Sequence, residues 1–532
     1  MKKILKLIDV LIVLSFLLVA SVAASVSAAD IKTLVVAIDG DIETLDTNGS
    51  HFPTSNLCNL NVYDQLFRYG IDDTGKGYSV TNVTKIEGAA IESWEIADDN
   101  LSVVLHVRKG MTFPKTGNPV TADDIMFWYE RGIDSQGGHK YVIQSTGISN
   151  FTKLGEYEVL VEFSRPLYPA TFYGYFRGQS QGVTDSVEVM KHATEDDPWG
   201  AKWLAKNYAG SGEYMVESWE PENQMVLKAN ENYWGGKPYF DRIILKVIPN
   251  SSLRALLLKK GEIDVAFGLS ADQVDALSDE DSVQIMRIPS RTHVDVILNN
   301  SKPPFNNKKI RQALAYLVPY EAIINNVYNG RAIPAKSEIP VLGLNYNPEF
   351  WKYETNIDKA KELLAEAGVP DGFEFNLNIK QGEEISHILA VTLQTEFKKA
   401  GVMMNIREVT NAAFASEMST AIHEATLWGV GRLSYIDDPL VIMESLRCNS
   451  TINRPSYCNP RVDKIADEFF VTYDPADRQK LADEFQSILA DDMPELLLAN
   501  IPIEYLLNSN LEGFVFMQDS LVWFHSLRRR SE

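Results

Sequence analysis

Arg242–Gly268 reads RIILKVIPNSSLRALLLKKGEIDVAFG. Arg242–Ile248 has the aliphatic, β-branched composition of a strand. Ser252–Lys260 has a helical pattern and stops at Gly261, and Ile263–Ala266 is again strand-like. A strand, a helix and a strand in that order imply helices layered on a sheet, so the fold class is α/β.

Working outward, Thr33–Ile38 is an apolar strand that enters a Gly/Asp turn. Ser102–Val107, Glu158–Phe163 and Gln224–Lys228 have strand composition, the second alternating in polarity. TADDIMFWYERG (residues 121–132) is helical: Thr121 caps it, Asp123 and Asp124 sit in the first turn where the helix dipole favours them, and Gly132 ends it. This acidic pair therefore reads as a helix start and not as catalytic carboxylates.

The second half is richer in helices. Ile310, Ala313, Leu314 and Leu317 recur at i, i+3, i+4, i+7 before Pro319. Asp358 is the expected cap of a helix whose buried stripe is Ala360, Leu363, Leu364 and Ala367, with Gly368 and Pro370 as its stop. Asp474 caps another, with Pro475 in the first helical position and Leu481, Phe485, Ile488 and Leu489 facing inward. There is no repeat, low-complexity tract or long linker, so short crossovers must join the domains.

The chain has 532 residues, of which 45% are hydrophobic and 23% charged. That length exceeds what one core usually supports, so more than one domain is expected. Lys2, Lys3 and Lys6 precede an apolar run, Val10–Ala20, and Val26-Ser27-Ala28 forms a small-x-small pattern. Residues 1–28 read as a secretory signal peptide cleaved after Ala28 or Ala29; the alternative, a membrane anchor, needs a longer span. No cysteine near the cleavage point offers a lipid anchor, and the protein is expected to be secreted, in a periplasm or outside the cell. The formal net charge of −22 has the wrong sign for nucleic acid, and an acidic surface favours a soluble monomer.

Cys58, Cys448 and Cys458 are the three cysteines. Cys448 and Cys458 bracket a turn-rich loop suited to a disulfide in an oxidising compartment, with Cys58 left as a buried thiol; the alternative is three free thiols. No CxxC pair or His/Cys cluster points to zinc. No metal site or cofactor is expected.

Ten blocks, in register over nearly the whole chain after residue 30, resemble the family of extracytoplasmic solute-binding proteins that includes the dipeptide-, oligopeptide- and nickel-binding proteins of ABC importers. They are ETLDT (Glu43–Thr47), NVYDQLFRYG (Asn61–Gly70), Ser93–Phe127, GSGEYMVESW (Gly210–Trp219), NENYWGGKPYFDRI (Asn230–Ile243), KKGEIDVAFG (Lys259–Gly268), Asn299–Val318, DKAKELLAEAG (Asp358–Gly368), DDPLVIMESL (Asp437–Leu446) and Asp474–Leu498. The resemblance implies a large, three-domain, two-lobed binding protein. Lobe I would comprise residues 30–69, 206–298 and 499–532. A subdomain of residues 70–205 would be inserted in it, and lobe II would be residues 299–498. The hinge is expected near Val296–Asn300 and Ala499–Ile503, and such proteins close about a hinge around their ligand. Val318-Pro319-Tyr320 departs from the apolar-Asp-Arg triplet usual in the family at this helix end.

Binding residues are expected in loops where the lobes face each other. One loop is GSHFPTSN (Gly49–Asn56), where Ser50, His51, Phe52 and Thr54 offer donors and an aromatic wall. The other is LWGVGRLSYIDDP (Leu427–Pro439). The family's peptide binders carry there a Trp and, four positions before the closing Pro, an Asp that pairs with the peptide's α-amino group. Trp428 keeps the aromatic, but Tyr435 stands in the Asp position. A phenol does not neutralise an ammonium, so either Asp437 or Asp438 substitutes or the ligand lacks an ordinary free amino end. Arg432 suits a ligand carboxylate, and Asn411 is a further candidate. Tyr233-Trp234-Gly235-Gly236 reads as a turn with aromatic packing, and Leu45-Asp46 as a structural cap beneath the cleft.

The expected function is capture of peptides or peptide-like solutes outside the cytoplasm and delivery to the permease of an ABC importer, without catalysis. One alternative keeps the fold and changes the ligand to a metal chelate, a haem-like group, a sugar or an organic acid. The other is a secreted hydrolase, against which stands the lack of a GxSxG elbow or a spaced Ser/His/Asp set.

Overall fold

The computed structural model describes residues 31–48, 53–134, 143, 147–166, 182–288, 290–432, 438–450, 452–517 and 521–531. The stretch that implied α/β layering folds as read. Strands Arg242–Val247 and Val265–Ala266 lie on either side of Thr33–Ile38, both parallel to it. Helix Ser251–Lys259 joins them, capped by the Asn250 side chain, which accepts from the Leu253 amide at 2.8 Å. Arg254 is buried in this helix and donates to the carbonyls of Ile248 (2.6 Å), Pro249 (2.9 Å), Phe267 (2.9 Å) and Gly268 (2.8 Å). One guanidinium thus pins the two turns that follow the parallel strands, and its charge is spread over carbonyl oxygens that would otherwise lack donors.

Around that unit a seven-stranded sheet runs in the order Val283–Ile288, Ile503–Asn508, Val265–Ala266, Thr33–Ile38, Arg242–Val247, Gln224–Ala229, Tyr214–Glu220. A second sheet, of five strands, runs Met403–Val409, Glu374–Lys380, Ala425–Arg432, His293–Leu298, Glu495–Asn500. Helices Lys308–Leu317, Ile357–Glu366 and Glu384–Phe397 bury Leu314, Leu364 and Leu393 in its core. Each sheet has its own apolar core, and these are the two lobes. A four-stranded antiparallel sheet, Ile91–Ile96, Ser102–Val107, Glu158–Phe163 and Ile148–Gly155, packs on helix Ala122–Asp134. Its apolar cluster continues into helices Pro460–Val471 and Pro475–Asp492 through Phe469, Phe470 and Phe485.

The chain passes between the two large sheets twice, between Ile288 and His293 and between Asn500 and Ile503. The first crossing precedes the expected Val296–Asn300, because strand His293–Leu298 already pairs on both sides in the five-stranded sheet. The crossings are tied together: Ser290 Oγ donates to the Ile501 carbonyl at 2.7 Å, and the Ile501 amide donates to the Thr292 carbonyl at 3.0 Å. Beside them Arg331 reaches from the second lobe to the first. It donates to the Ala271 carbonyl at 2.7 Å, pairs with Asp275 and lies 3.6 Å from Glu504.

Local expectations meet the structure with small differences. Asp474 caps its helix as expected, accepting from the Ala476 and Asp477 amides. Asn356, not Asp358, caps Ile357–Glu366, and Asp358 falls in the first turn. The helix expected to end at Gly132 continues to Asp134. Its start is reciprocal: Thr121 Oγ1 accepts from the Asp123 amide, and Asp124 accepts from the Thr121 amide at 2.8 Å. Helix Lys308–Leu317 stops before Val318-Pro319, and Tyr320–Ala322 resumes the coil. Cys448 and Cys458 are joined as a disulfide, with Cα atoms 4.3 Å apart, and Cys58 is a buried thiol.

Candidate functional site

Two loops were expected to face each other across the lobes. On the first lobe, Thr54 opens helix Pro53–Val62 and its hydroxyl donates to the Asp41 carbonyl at 3.1 Å. Ser55 Oγ accepts from the Glu43 amide at 2.9 Å. These bonds fasten the segment after strand Thr33–Ile38 to the helix, and partial burial raises the Glu43 carboxyl above its ordinary value. Asp46 is buried and ion-paired with Arg131, while the Leu45 carbonyl accepts from the Tyr63 hydroxyl at 2.9 Å. Leu45-Asp46 thus supports the loop from beneath. Ser50, His51 and Phe52 lie outside the described residues.

On the second lobe, Trp428 sits in the central strand of the sheet, Ala425–Arg432, half-buried, opposite Asp295 of the neighbouring strand His293–Leu298. Its ring meets Phe414 edge-on, with centroids 5.7 Å apart. The Lys380 ammonium stands 5.3 Å from the Trp428 centroid and 5.1 Å from that of Phe414. Two rings and an ammonium therefore form one corner at the end of this sheet; the ammonium also pairs with Glu383 at 3.2 Å, and the ring faces suit planar or aliphatic groups. Phe414 belongs to helix Asn411–Ser419. Asn411, expected in a loop, is the first residue of that helix, with Thr410 as its cap. The backbone of Arg432 pairs with His293 at the strand's end, and Tyr435 and Asp437 lie outside the described residues.

Asp438 corrects the sequence reading. Its carboxylate is 2% exposed, accepts from Arg478 at 2.7 Å and from the Leu440 amide at 2.9 Å, and so starts helix Leu440–Ser445. Arg478 also donates to the carbonyls of Phe469 and Thr472 and lies over the Phe469 ring at 3.7 Å. A carboxylate engaged in this way anchors the loop to the helical core and is not presented to a ligand.

Sequence reasoning passed over Arg291, His293 and Asp295, which are buried on and before strand His293–Leu298 next to the crossing. The signal was present: in RTHVDVIL (Arg291–Leu298) Arg291, His293 and Asp295 stand at alternate positions ahead of an apolar run. Among the described residues no cluster of His, Cys, Asp and Glu has the arrangement of a metal site, and no helix is long and apolar enough to cross a membrane.

The sequence profile of bacterial extracellular solute-binding proteins, family 5 Middle, matches residues 85–452. The probable D,D-dipeptide-binding periplasmic protein DdpA of Escherichia coli K12 is 27% identical over 494 residues, 91% of each chain. Heme-binding protein A of Haemophilus influenzae is 27% identical over 458 residues, 81% of this chain and 82% of its own. The periplasmic binding protein DppA of Helicobacter pylori, solved with the peptide STSA, superposes with a TM-score of 0.81 at 24% identity, covering 95% of this chain and 100% of its own. The two lobes, the double crossing between them and the profile match agree: the chain belongs to the bacterial extracellular solute-binding proteins of family 5.

Proposed function

We propose that this protein is the capture component of an ABC importer, taking up peptides or peptide-like solutes outside the cytoplasm and handing them unaltered to a membrane permease. The observation that carries this reading is the family match over the middle of the chain, on a structure whose two sheets are joined by two adjacent crossings. Two adjacent crossings form a hinge, and a hinge between two lobes suits capture by closure. In this reading residues 1–28 are a cleaved secretory signal, and the protein works as a monomer. Residues 30–69, 206–298 and 499–532 form one lobe with 70–205 inserted in it, and 299–498 form the other.

In this reading the ligand is held between Thr54 on one lobe and the corner of Trp428, Phe414 and Lys380 on the other, with Ser50, His51, Phe52, Arg432, Tyr435 and Asp437 as the further candidates from the sequence. Asp438 is withdrawn into its pair with Arg478, so recognition of a free α-amino group falls to Asp437 alone. Lys380, half-buried against two rings, already pairs with Glu383 at 3.2 Å, so a solute carboxylate would share this ammonium with Glu383. Mass spectrometry of the protein purified under native conditions tests the reading. A stoichiometric peptide or peptide-like acid, released intact on unfolding, is expected; a hydrolysed product, or no ligand and no thermal shift with a broad peptide library, contradicts it.

A further inference from the structure

A cavity of about 180 Å³ lies wholly outside the five-stranded lobe. Its walls include the rings of Tyr69, Trp234 and Trp523 and the polar side chains of Arg68, Glu87 and Glu213. Behind it, Asp64 and Glu213 are both buried and share a single guanidinium, that of Arg68, at 3.0 Å each. Asp64 is fully engaged. It accepts from the Tyr233 hydroxyl at 2.7 Å and the Trp234 indole at 3.1 Å in addition to Arg68. The YWGG turn therefore delivers two donors to one carboxylate, beyond the packing its sequence suggested.

Glu213 is engaged on one side only. Its Oε1 accepts from Arg68 and from the Trp523 indole at 2.7 Å, whereas Oε2 is buried with no hydrogen-bond partner among the described residues. A buried carboxylate oxygen without a donor is costly and calls for one. The charges nearest the cavity are those of Glu87 and Glu213 against Arg68 and Arg108, the latter 4.0 Å from the Trp234 centroid, with Asp64 behind. The indoles of Trp234 and Trp523 each already lie 5.2 Å from the Arg68 guanidinium carbon, the distance at which a ring face attracts a cation.

We infer that this cavity binds a small organic cation, a primary ammonium or guanidinium group, which donates to Glu213 Oε2 and rests its carbon on the Trp523 and Tyr69 rings. A cavity of about 180 Å³ has room for a head group and a few carbons. Every lining residue belongs to the segments 60–88, 213, 234, 517 and 523, so the site is separate from the corner at Trp428.

The test is titration of the whole secreted protein with methylguanidinium or ethylammonium at constant ionic strength, with neutral acetamide as control, following the indole N–H resonances by NMR. Saturable shifts are expected for Trp234 and Trp523 and not for Trp428. Glu213→Gln keeps an acceptor for Arg68 and is expected to weaken the cation at least tenfold. It should leave affinity for a peptide ligand, read at Trp428, within twofold. Glu87→Gln, at a half-exposed position that does not risk the fold, is expected to weaken the cation about threefold. No saturable shift, an equal response to acetamide, or unchanged titration in both variants overturns the proposal. Because the two sites report through different tryptophans, failure here is distinct from failure of solute capture.

Discussion

The stretch from Trp428 to Asp438 reads as one binding loop, yet its two ends do opposite things. Trp428 is half-buried beside Phe414 and the Lys380 ammonium. Asp438 is sunk in the helical core and paired with Arg478. One end has recognition capacity left over; the other has used its capacity to hold the loop in place. What separates them is how far the polar groups are already satisfied by protein. The Asp64–Arg68–Glu213 cluster is the intermediate case, with one carboxylate fully engaged and one carboxylate oxygen left over.

Breaking the buried end should have the largest effect. Asp438→Ala leaves Arg478 charged and without its carboxylate in the core, which costs about 3–5 kcal/mol. Chemical denaturation should show that loss of stability, with ligand affinity near wild type in whatever fraction folds. A stable Asp438→Ala protein that has lost its ligand would invert the comparison. At the open end, Trp428→Ala is expected to weaken ligand binding by about 2 kcal/mol, roughly thirtyfold, with a much smaller change in stability. Calorimetry and denaturation on the same sample separate the two.

The intermediate cluster gives a pH signature. Burial, more than any neighbour, pushes the Asp64 carboxyl up from 3.8 to about 7, with Arg68 opposing. Between those values the folded state holds a proton that the unfolded state has released. Its contribution therefore favours folding below about pH 4 and is lost as pH rises toward 7, by at most about 1.4 kcal/mol per pH unit. The stability difference between wild type and Asp64→Asn should follow that slope and level off above 7; a flat difference contradicts it. The smallest effect is expected at Lys380→Met, which should weaken a carboxylate-bearing ligand by about 0.5–1 kcal/mol and reduce the salt dependence of its binding.

Much of the fold was legible because it is local. The strand–helix–strand at Arg242–Ala266 and the Asp474-Pro475 helix start depend on neighbours a few residues away. Helix ends were less legible where two capping residues compete: Asn356 and Asp358 are two apart, and Asn356 reaches the Lys359 amide. The site was less legible still, because burial of a carboxylate is decided by distant partners. Arg478 is 40 residues from Asp438, and Glu213 is 145 from Arg68. No local pattern distinguishes a carboxylate that awaits such a partner from one that faces a ligand. The polar alternation at Arg291, His293 and Asp295 was visible, but the pairing of that strand on both sides beside the crossing was not.

The measurement that bears most directly on capture between hinged lobes is small-angle X-ray scattering of the purified protein, before and after saturation with a ligand identified by mass spectrometry, with the ligand recovered afterwards. The account predicts a smaller radius of gyration in the bound state and a chemically unchanged ligand at one per chain. An unaltered scattering profile at saturation, or a ligand recovered in altered form, would contradict it.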